Sequence, residues 1–452
     1  MFLFAIFRFI SSDSYAAVID AGNTKTALHV FQLNGTNTKE ISITNSINTK
    51  PLHHALYDKS LITEILKPQL EVLNETIKSD DRKKTKLFLF GTNGIRNLNE
   101  DEQEKLMKLS REYLQKNSEF IFKDDYVKTI DIIEESIYYW ISVNLILNRF
   151  DDNNNETVAV ASFGSSALQV TFEPQDDNFN QNRFNVVLDN GRKFNVYTYA
   201  NDHLKSEEVK LTHLKELAKE QGKSAVESPC FPNGVDQKST IDYTGKWNGQ
   251  KCYDSLSNNT LIKGKCKKGY CLFGDIAIPL NSFNEKEIFA ISGFAYADEY
   301  FKLDKDLSIN EHMIKTDEVC SGNIPEINTN PYVVDYCFHM KLTDNFLIRG
   351  LGCNNETNSI HRVNKLENEI GDSIKVDWQL GAIMARAGNT KITPDDSKSK
   401  KLLTIIIGVV AGIIVILSIV FIIVKCRELK DQEDLSGTEE NNKLLENTKN
   451  EI

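Results

Sequence analysis

The sequence predicts an α/β protein of two lobes joined to one C-terminal membrane-spanning helix. Three observations predict this. A strand–glycine turn–strand unit occurs twice, strands alternate with helical stretches over most of the chain, and residues 402–424 form one apolar run without a charge. With 452 residues the chain is long enough for two lobes of ordinary size with buried cores.

Residues 17–20 and 27–33 read as two strands joined by Ala21-Gly22-Asn23-Thr24-Lys25-Thr26. Residues 61–76 and 100–115 have helical periodicity, with a short strand at 87–90 between them. Residues 132–147 form a helix that is apolar on most sides. The segment 158–172 then repeats the opening hairpin: Ala17-Val18-Ile19-Asp20-Ala21-Gly22 lies over Ala159-Val160-Ala161-Ser162-Phe163-Gly164. Two such units would set two similar turns face to face if each begins a lobe. Strand then helix follows over 191–217, and 228–280 looks loop-rich. Residues 289–301 and 333–350 read as apolar helices, and 374–387 as a short helix containing Trp378.

The net charge of -11 argues against nucleic acid as a partner, because phosphate backbones are held by clustered Lys and Arg. Seven of the eight cysteines (Cys230, Cys252, Cys266, Cys271, Cys320, Cys337 and Cys353) precede the apolar run, which fits disulfides in an oxidising compartment. Residues 1–16, apolar except Arg8 before Ser14-Tyr15-Ala16, read as a signal peptide. Five Asn-x-Thr sequons (Asn34, Asn74, Asn155, Asn258 and Asn355) are compatible with glycosylation. Together these features place the large segment on the extracellular or lumenal side. The expected order is signal peptide 1–16, N-terminal lobe 17–132 and 376–388, C-terminal lobe 133–375, stalk 389–401, membrane helix 402–424 in contact with lipid, and cytoplasmic tail 425–452. In the tail, Leu444 and Leu445 follow an acidic stretch as in a dileucine signal for a sorting adaptor, which would mean endosomal or lysosomal residence instead of the plasma membrane. Cys426 beside the membrane is a palmitoylation candidate or an idle thiol.

Three segments could carry chemistry. The turn Gly22–Thr26 can aim backbone amides at one spot, a nest suited to phosphate, with Asn23, Thr24, Lys25 and Thr26 adding donors; a plain turn fits as well. Gly91-Thr92-Asn93-Gly94-Ile95-Arg96 ends a strand and opens a helix, with Arg96 either structural or on phosphate. Glu134 and Glu135 sit on an apolar helix, a costly place for carboxylates unless one is paired or acts as a general base.

With these residues in hand, the chain resembles the ecto-apyrases, or nucleoside triphosphate diphosphohydrolases, which carry five conserved regions in fixed order. Asp20 to Thr26 resembles the first region and Gly91 to Arg96 the second. Glu134-Glu135-Ser136-Ile137-Tyr138-Tyr139-Trp140 opens a match to the third. Ser162-Phe163-Gly164-Ser165-Ser166-Ala167-Leu168-Gln169 resembles the fourth, and Trp378-Gln379-Leu380-Gly381 the fifth. The resemblance covers residues 17–388 and implies a two-lobed, actin-like fold, related to ribonuclease H, with the nucleotide in the cleft. It implies hydrolysis of terminal phosphates of nucleoside tri- and diphosphates, ATP and ADP among them, with Ca2+ or Mg2+ held through water near Asp20 and Gln169. Glu135 would activate the water and Thr92 position it. Gly22, Asn23, Thr24, Lys25, Thr26, Gly94, Arg96, Gly164, Ser165, Ser166 and Ala167 would surround the phosphates, and Tyr296 would stack on the base. The disulfides it implies are Cys230–Cys252, Cys266–Cys271 and Cys320–Cys337.

The departures lie mainly in the fourth region, where the family's Asp and second Gly are Ser162 and Ser165 and a phosphate-contacting Ser is Ala167. Asn23, Asn93 and Ser136 also differ from the usual residues. Two functions therefore compete: an active metal-dependent hydrolase, and an impaired member retained as a nucleotide-binding or interaction protein. A kinase of the same fold is disfavoured, since a water-activating Glu matches and no acceptor motif is evident.

Overall fold

A computed structural model describes residues 14–33, 39–40, 48–150, 156–174, 181–259, 271–272, 276–277, 286–327, 330–353, 359–368, 371–388 and 390–395. The expected membrane helix, tail, dileucine pair, Cys426 and Cys266 lie outside them, as do Asn34, Asn155 and Asn355. No helix among the described residues is long and apolar enough to cross a membrane. The described residues up to Pro394 form one compact unit.

The first sheet runs Lys39–Glu40, Thr26–Leu33, Ser14–Ala21, Lys86–Gly91, Val127–Thr129, with Asn48–Thr49 also pairing with Thr26–Leu33. The second runs Ile360–Arg362, Ile288–Ser292, Ala159–Phe163, Leu168–Phe172, Lys193–Asn201, Arg183–Val187, Lys391–Pro394. Each is built around the same unit. Ser14–Ala21 pairs antiparallel with Thr26–Leu33 and parallel with Lys86–Gly91; Ala159–Phe163 pairs antiparallel with Leu168–Phe172 and parallel with Ile288–Ser292. The two central strands are buried on both faces, as the runs Ala16-Ala17-Val18-Ile19 and Ala159-Val160-Ala161 require.

Two helices, Ile132–Ile146 and Trp378–Ala387, share one hydrophobic core with residues of both sheets. They approach closely because Gly381 has no side chain: a Cβ there would lie 1.9 Å from the Tyr138 carbonyl oxygen. Ser142 fastens the contact, donating to Asp377 O at 2.5 Å and accepting from Gly381 N at 2.7 Å.

Two expected helices are corrected, and two expected segment boundaries fall within strands. Residues 289–301 are not one helix: Ile288–Ser292 is a strand between two parallel neighbours, and the helix is only Tyr296–Phe301. A short run of branched and aromatic residues buried on both faces has no period to separate strand from helix. Likewise Ser373–Lys375 is a strand paired with Lys365–Glu367, and the helix begins at Trp378. Ser14, Tyr15 and Ala16 belong to the first strand, with Ala16 fully buried and opposite Phe31; removing them with a leader would cost the sheet its first three pairs. Part of the segment read as a stalk, Lys391–Pro394, is an edge strand against Arg183–Val187.

The disulfides Cys230–Cys252 and Cys320–Cys337 are present, and Cys353 is a buried thiol. Asn74 lies in the helix Leu61–Thr76 with its side-chain oxygen buried, so local unfolding would be needed to glycosylate it.

Candidate active site

Both hairpin turns close with the same hydrogen bond. Gly22 N donates to Lys25 O at 3.0 Å, and Gly164 N donates to Ala167 O at 3.1 Å. The repeat therefore extends to the turns, and it sets Asp20, which pairs with Ala27, equivalent to Ser162, which pairs with Gln169.

Asp20 lies one residue before the end of the first strand and is the hub of its side of the site. Thr92 Oγ1 donates to Asp20 Oδ1 at 3.2 Å, and Gln379 Nε2 donates to Asp20 Oδ2 at 2.9 Å. Thr92 arrives there because its backbone N–H donates to Ala21 O, continuing the parallel ladder one residue past Gly91. Gly94 then passes directly over the first turn: a Cβ would sit 2.5 Å from Gly22 O and 2.7 Å from Asn23 Cα. Only glycine allows this approach. Burial pushes the Asp20 carboxyl up to about 6, with the nearby Glu135 adding to the rise and His29, Thr92 and Gln379 opposing it.

The paired glutamates have different surroundings. Glu134 is held by Lys128 at 2.7 Å, by Arg386 at 2.5 Å and by the Tyr138 hydroxyl at 2.5 Å. Burial alone would raise its pKa, but Lys128, Tyr138 and Arg386 bring it below the usual range. Glu135 is 5% exposed, one residue further along the helix, with Oε2 2.6 Å from Arg96 Nη1. The Glu135 charge raises the pKa of Asp20 and of Tyr139, the latter one turn further along the same helix. Gln169 Nε2 donates to Ile132 O at 3.3 Å, binding the second hairpin to the start of the same helix.

The structure thus brings together Asp20, Thr92, Gly22, Gly94, Arg96 and Glu135, with Gln169 beside their helix. Asn23, Thr24 and Lys25 are exposed at the tip of the first turn. In the second turn Ser165 is exposed, Gly164 and Ser166 are half-buried and Ala167 is buried. Tyr296 is 53% exposed at the head of the helix Tyr296–Phe301, near enough to Tyr139 to influence it. Two of the candidate residues have structural partners. Thr26 is fully buried and turned away from the turn, its hydroxyl donating to Lys50 O at 3.0 Å. Arg96 donates to Ile130 O at 3.1 Å and pairs with Glu135 at 2.6 Å, contacts of the structural kind among the two roles open to it.

A profile of the GDA1/CD39 (nucleoside phosphatase) family matches residues 9–403. The chain belongs to that family. Among relatives, a nucleoside-triphosphatase of Pisum sativum is 26% identical over 309 residues, 64% of this chain and 66% of its own length. Nucleoside-triphosphatase ntp-1 of Caenorhabditis elegans is 24% identical over 420 residues, 83% of this chain and 74% of its own. Ectonucleoside triphosphate diphosphohydrolase 1 of Bos taurus is 23% identical over 424 residues, 82% and 80%. The crystal structure of nucleoside triphosphate hydrolases from Neospora caninum superposes with a TM-score of 0.65 at 13% identity, over 83% of this chain and 92% of that one. At that identity the likeness shows the fold, an actin-like α/β phosphatase fold with mixed sheets.

Three residues of this nucleoside phosphatase's site escape sequence reasoning. Gln379 is the long polar side chain in an otherwise apolar first turn of its helix, a signal that was available. Ser292 was hidden because its strand reads as helix. Tyr139 carried no signal among the aromatics of its helix.

The raised carboxyl of Asp20 has a cost that can be measured. A folded-state value above the ordinary 3.8 means the folded protein holds the proton more tightly, so the burial penalty accumulates as pH climbs from 3.8 to about 6 and persists above it. Asp20→Asn is expected to stabilise the protein without added metal at pH 7.5 by up to about 3 kcal/mol. Urea unfolding should show that advantage shrinking as pH falls from 6 toward 4.

Proposed function

We propose that this nucleoside phosphatase hydrolyses the terminal phosphate of nucleoside tri- and diphosphates, with Glu135 taking a proton from the attacking water. The observation that carries the reading is the meeting of two carboxylates, Asp20 and Glu135, from separate elements beneath duplicated glycine turns. The relatives' names, triphosphatase and triphosphate diphosphohydrolase, support the substrate class.

The donors present fit a divalent cation such as Ca2+ or Mg2+. Asp20, Thr92, Gln169 and Gln379 offer oxygen atoms and no soft ligand, and a single carboxylate hub suits a cation held through its own waters. Bound there, the ion would neutralise charge on the phosphate chain. The chain's own residues do the rest. The turn amides of both hairpins receive the phosphate oxygens, Thr92 and Glu135 orient the water, and Glu135 Oε accepts its proton as the P–O bond to the leaving nucleotide breaks. Arg96 keeps Glu135 in register. Tyr296, exposed beside the cleft, stacks on the base.

The two disulfides support an ectodomain on the extracellular or lumenal side of a membrane, tethered by residues 402–424 and routed by Leu444 and Leu445. Phosphate release from ATP and ADP by the purified full-length protein in detergent, with Ca2+ or Mg2+ and with chelator, tests the activity. Metal-dependent release is expected. Release no greater than that of a Glu135→Ala protein would end the hydrolase reading and leave the second, an impaired nucleotide-binding or interaction member, which Ser162 and Ala167 favour.

A further inference from the structure

The second sheet repeats the first beyond its hairpin. Gly293 N donates to Phe163 O at 2.7 Å, as Thr92 N donates to Ala21 O, so the junction Ser292-Gly293 occupies the place of Gly91-Thr92. A Cβ at Gly293 would lie 2.6 Å from Phe163 O, which leaves no room for a threonine there. The hydroxyl that the first lobe places on Thr92 is supplied in the second by the preceding residue. Ser162 Oγ donates to Ser292 Oγ at 3.4 Å, linking the same two places as the Thr92–Asp20 bond but in the opposite sense.

Ser292 is held in an unusual conformation to do this. Its φ is +59°, in the left-handed region where a residue with a Cβ is strained. Its backbone N–H donates to Asn364 Oδ1 at 2.8 Å, which fixes that conformation, and its hydroxyl is bonded to Tyr139. Tyr139 lies one helical turn from Glu135 and responds to its charge. Burial, Glu135 and Asp377 hold the Tyr139 phenol neutral, so it remains a hydrogen-bond donor.

We propose that Ser292, with Ser162 and Tyr139, forms a neutral hydroxyl wall that binds phosphate oxygens of the substrate from the second lobe, opposite Asp20 and Thr92. This rests on reading the cleft as a nucleotide site. It assigns Ser292 as a substrate-binding residue and explains how a lobe with Ser162 in place of a carboxylate still contributes: it donates hydrogen bonds to the anionic substrate directly.

Ser292→Gly separates the hydroxyl from the backbone, because glycine adopts φ +59° without strain. The variant is expected to melt at or above the wild-type temperature, yet to lose about tenfold or more in kcat/KM for ATP, the effect of one hydrogen bond to a charged group. A Ser292→Gly protein within twofold of wild type overturns the proposal. So does a loss seen in Ser292→Ala but absent from Ser292→Gly, since conformation alone would then matter. If the wild type hydrolyses nothing, calorimetric binding of a non-hydrolysable ATP analogue reads the same contact. There, at least fivefold weakening in Ser292→Gly supports the wall and equal affinity removes it. A wild type that neither hydrolyses nor binds overturns the nucleotide reading of the cleft itself.

Discussion

Glu135→Gln is expected to lower kcat for ATP hydrolysis by about two to four orders of magnitude while leaving affinity for a non-hydrolysable analogue within a few-fold. The amide keeps the size of the side chain and its contact with Arg96 but cannot take a proton. Glu135, paired with Arg96, is the better carboxylate for this task, because Glu134 is held by three partners, Lys128, Arg386 and Tyr138. Steady-state kinetics beside calorimetric binding checks the prediction, and a fall in kcat of less than tenfold would remove Glu135 from the role of base. The complementary variant, Arg96→Lys, should reduce kcat less, because a lysine retains charge but not the paired contacts to Ile130 O and Glu135.

Asp344→Ala is expected to destabilise the protein by about 3–5 kcal/mol, as removal of one partner from a buried ion cluster does. Asp344 and His312 are fully buried, and Arg362 is 1% exposed. His312 Nδ1 lies 2.7 Å from Asp344 and its Nε2 3.1 Å from Asp298, while Arg362 donates to Asp344 at 3.3 Å and to Leu307 O at 3.1 Å. Asp298, His312, Asp344 and Arg362 come from four different elements of the second lobe, so the cluster adds polar ties between segments that also share apolar cores. Burial would lower the His312 pKa, but the carboxylates of Asp344 and Asp298 outweigh both burial and the Arg362 charge and raise it. The cluster's stabilisation is therefore complete below the ordinary histidine range and is lost as pH rises through the elevated value. Urea unfolding with the disulfides intact should show the wild-type advantage over Asp344→Ala narrowing at alkaline pH.

Much of this architecture is readable from residue order because strand, turn and strand impose a period that survives divergence. The hairpins at Gly22 and Gly164 are visible as repeated alanine and branched runs ending in glycine. The reading failed where burial erased periodicity. Residues 288–291 are apolar on every side, so nothing in their spacing distinguishes a central strand from a helix, and Ser292 was lost with them. Arg96 was legible as a cation near a glycine turn, but whether it faced a ligand or Glu135 depends on a helix far along the chain. Thr26 shows the opposite limit: one residue past the turn, strand alternation points it into the first lobe, toward Lys50.

Lys391–Pro394 has a consequence for any shortened form of the protein. Arg183–Val187 has Lys193–Asn201 on one side and this four-residue strand on the other. A polypeptide ending at Gly388 would retain every group named in the cleft, yet expose a row of unpaired amides and carbonyls along the margin of the larger sheet. Such an open margin templates pairing with a neighbouring molecule, so the truncated protein should self-associate where one ending after Pro394 stays dispersed.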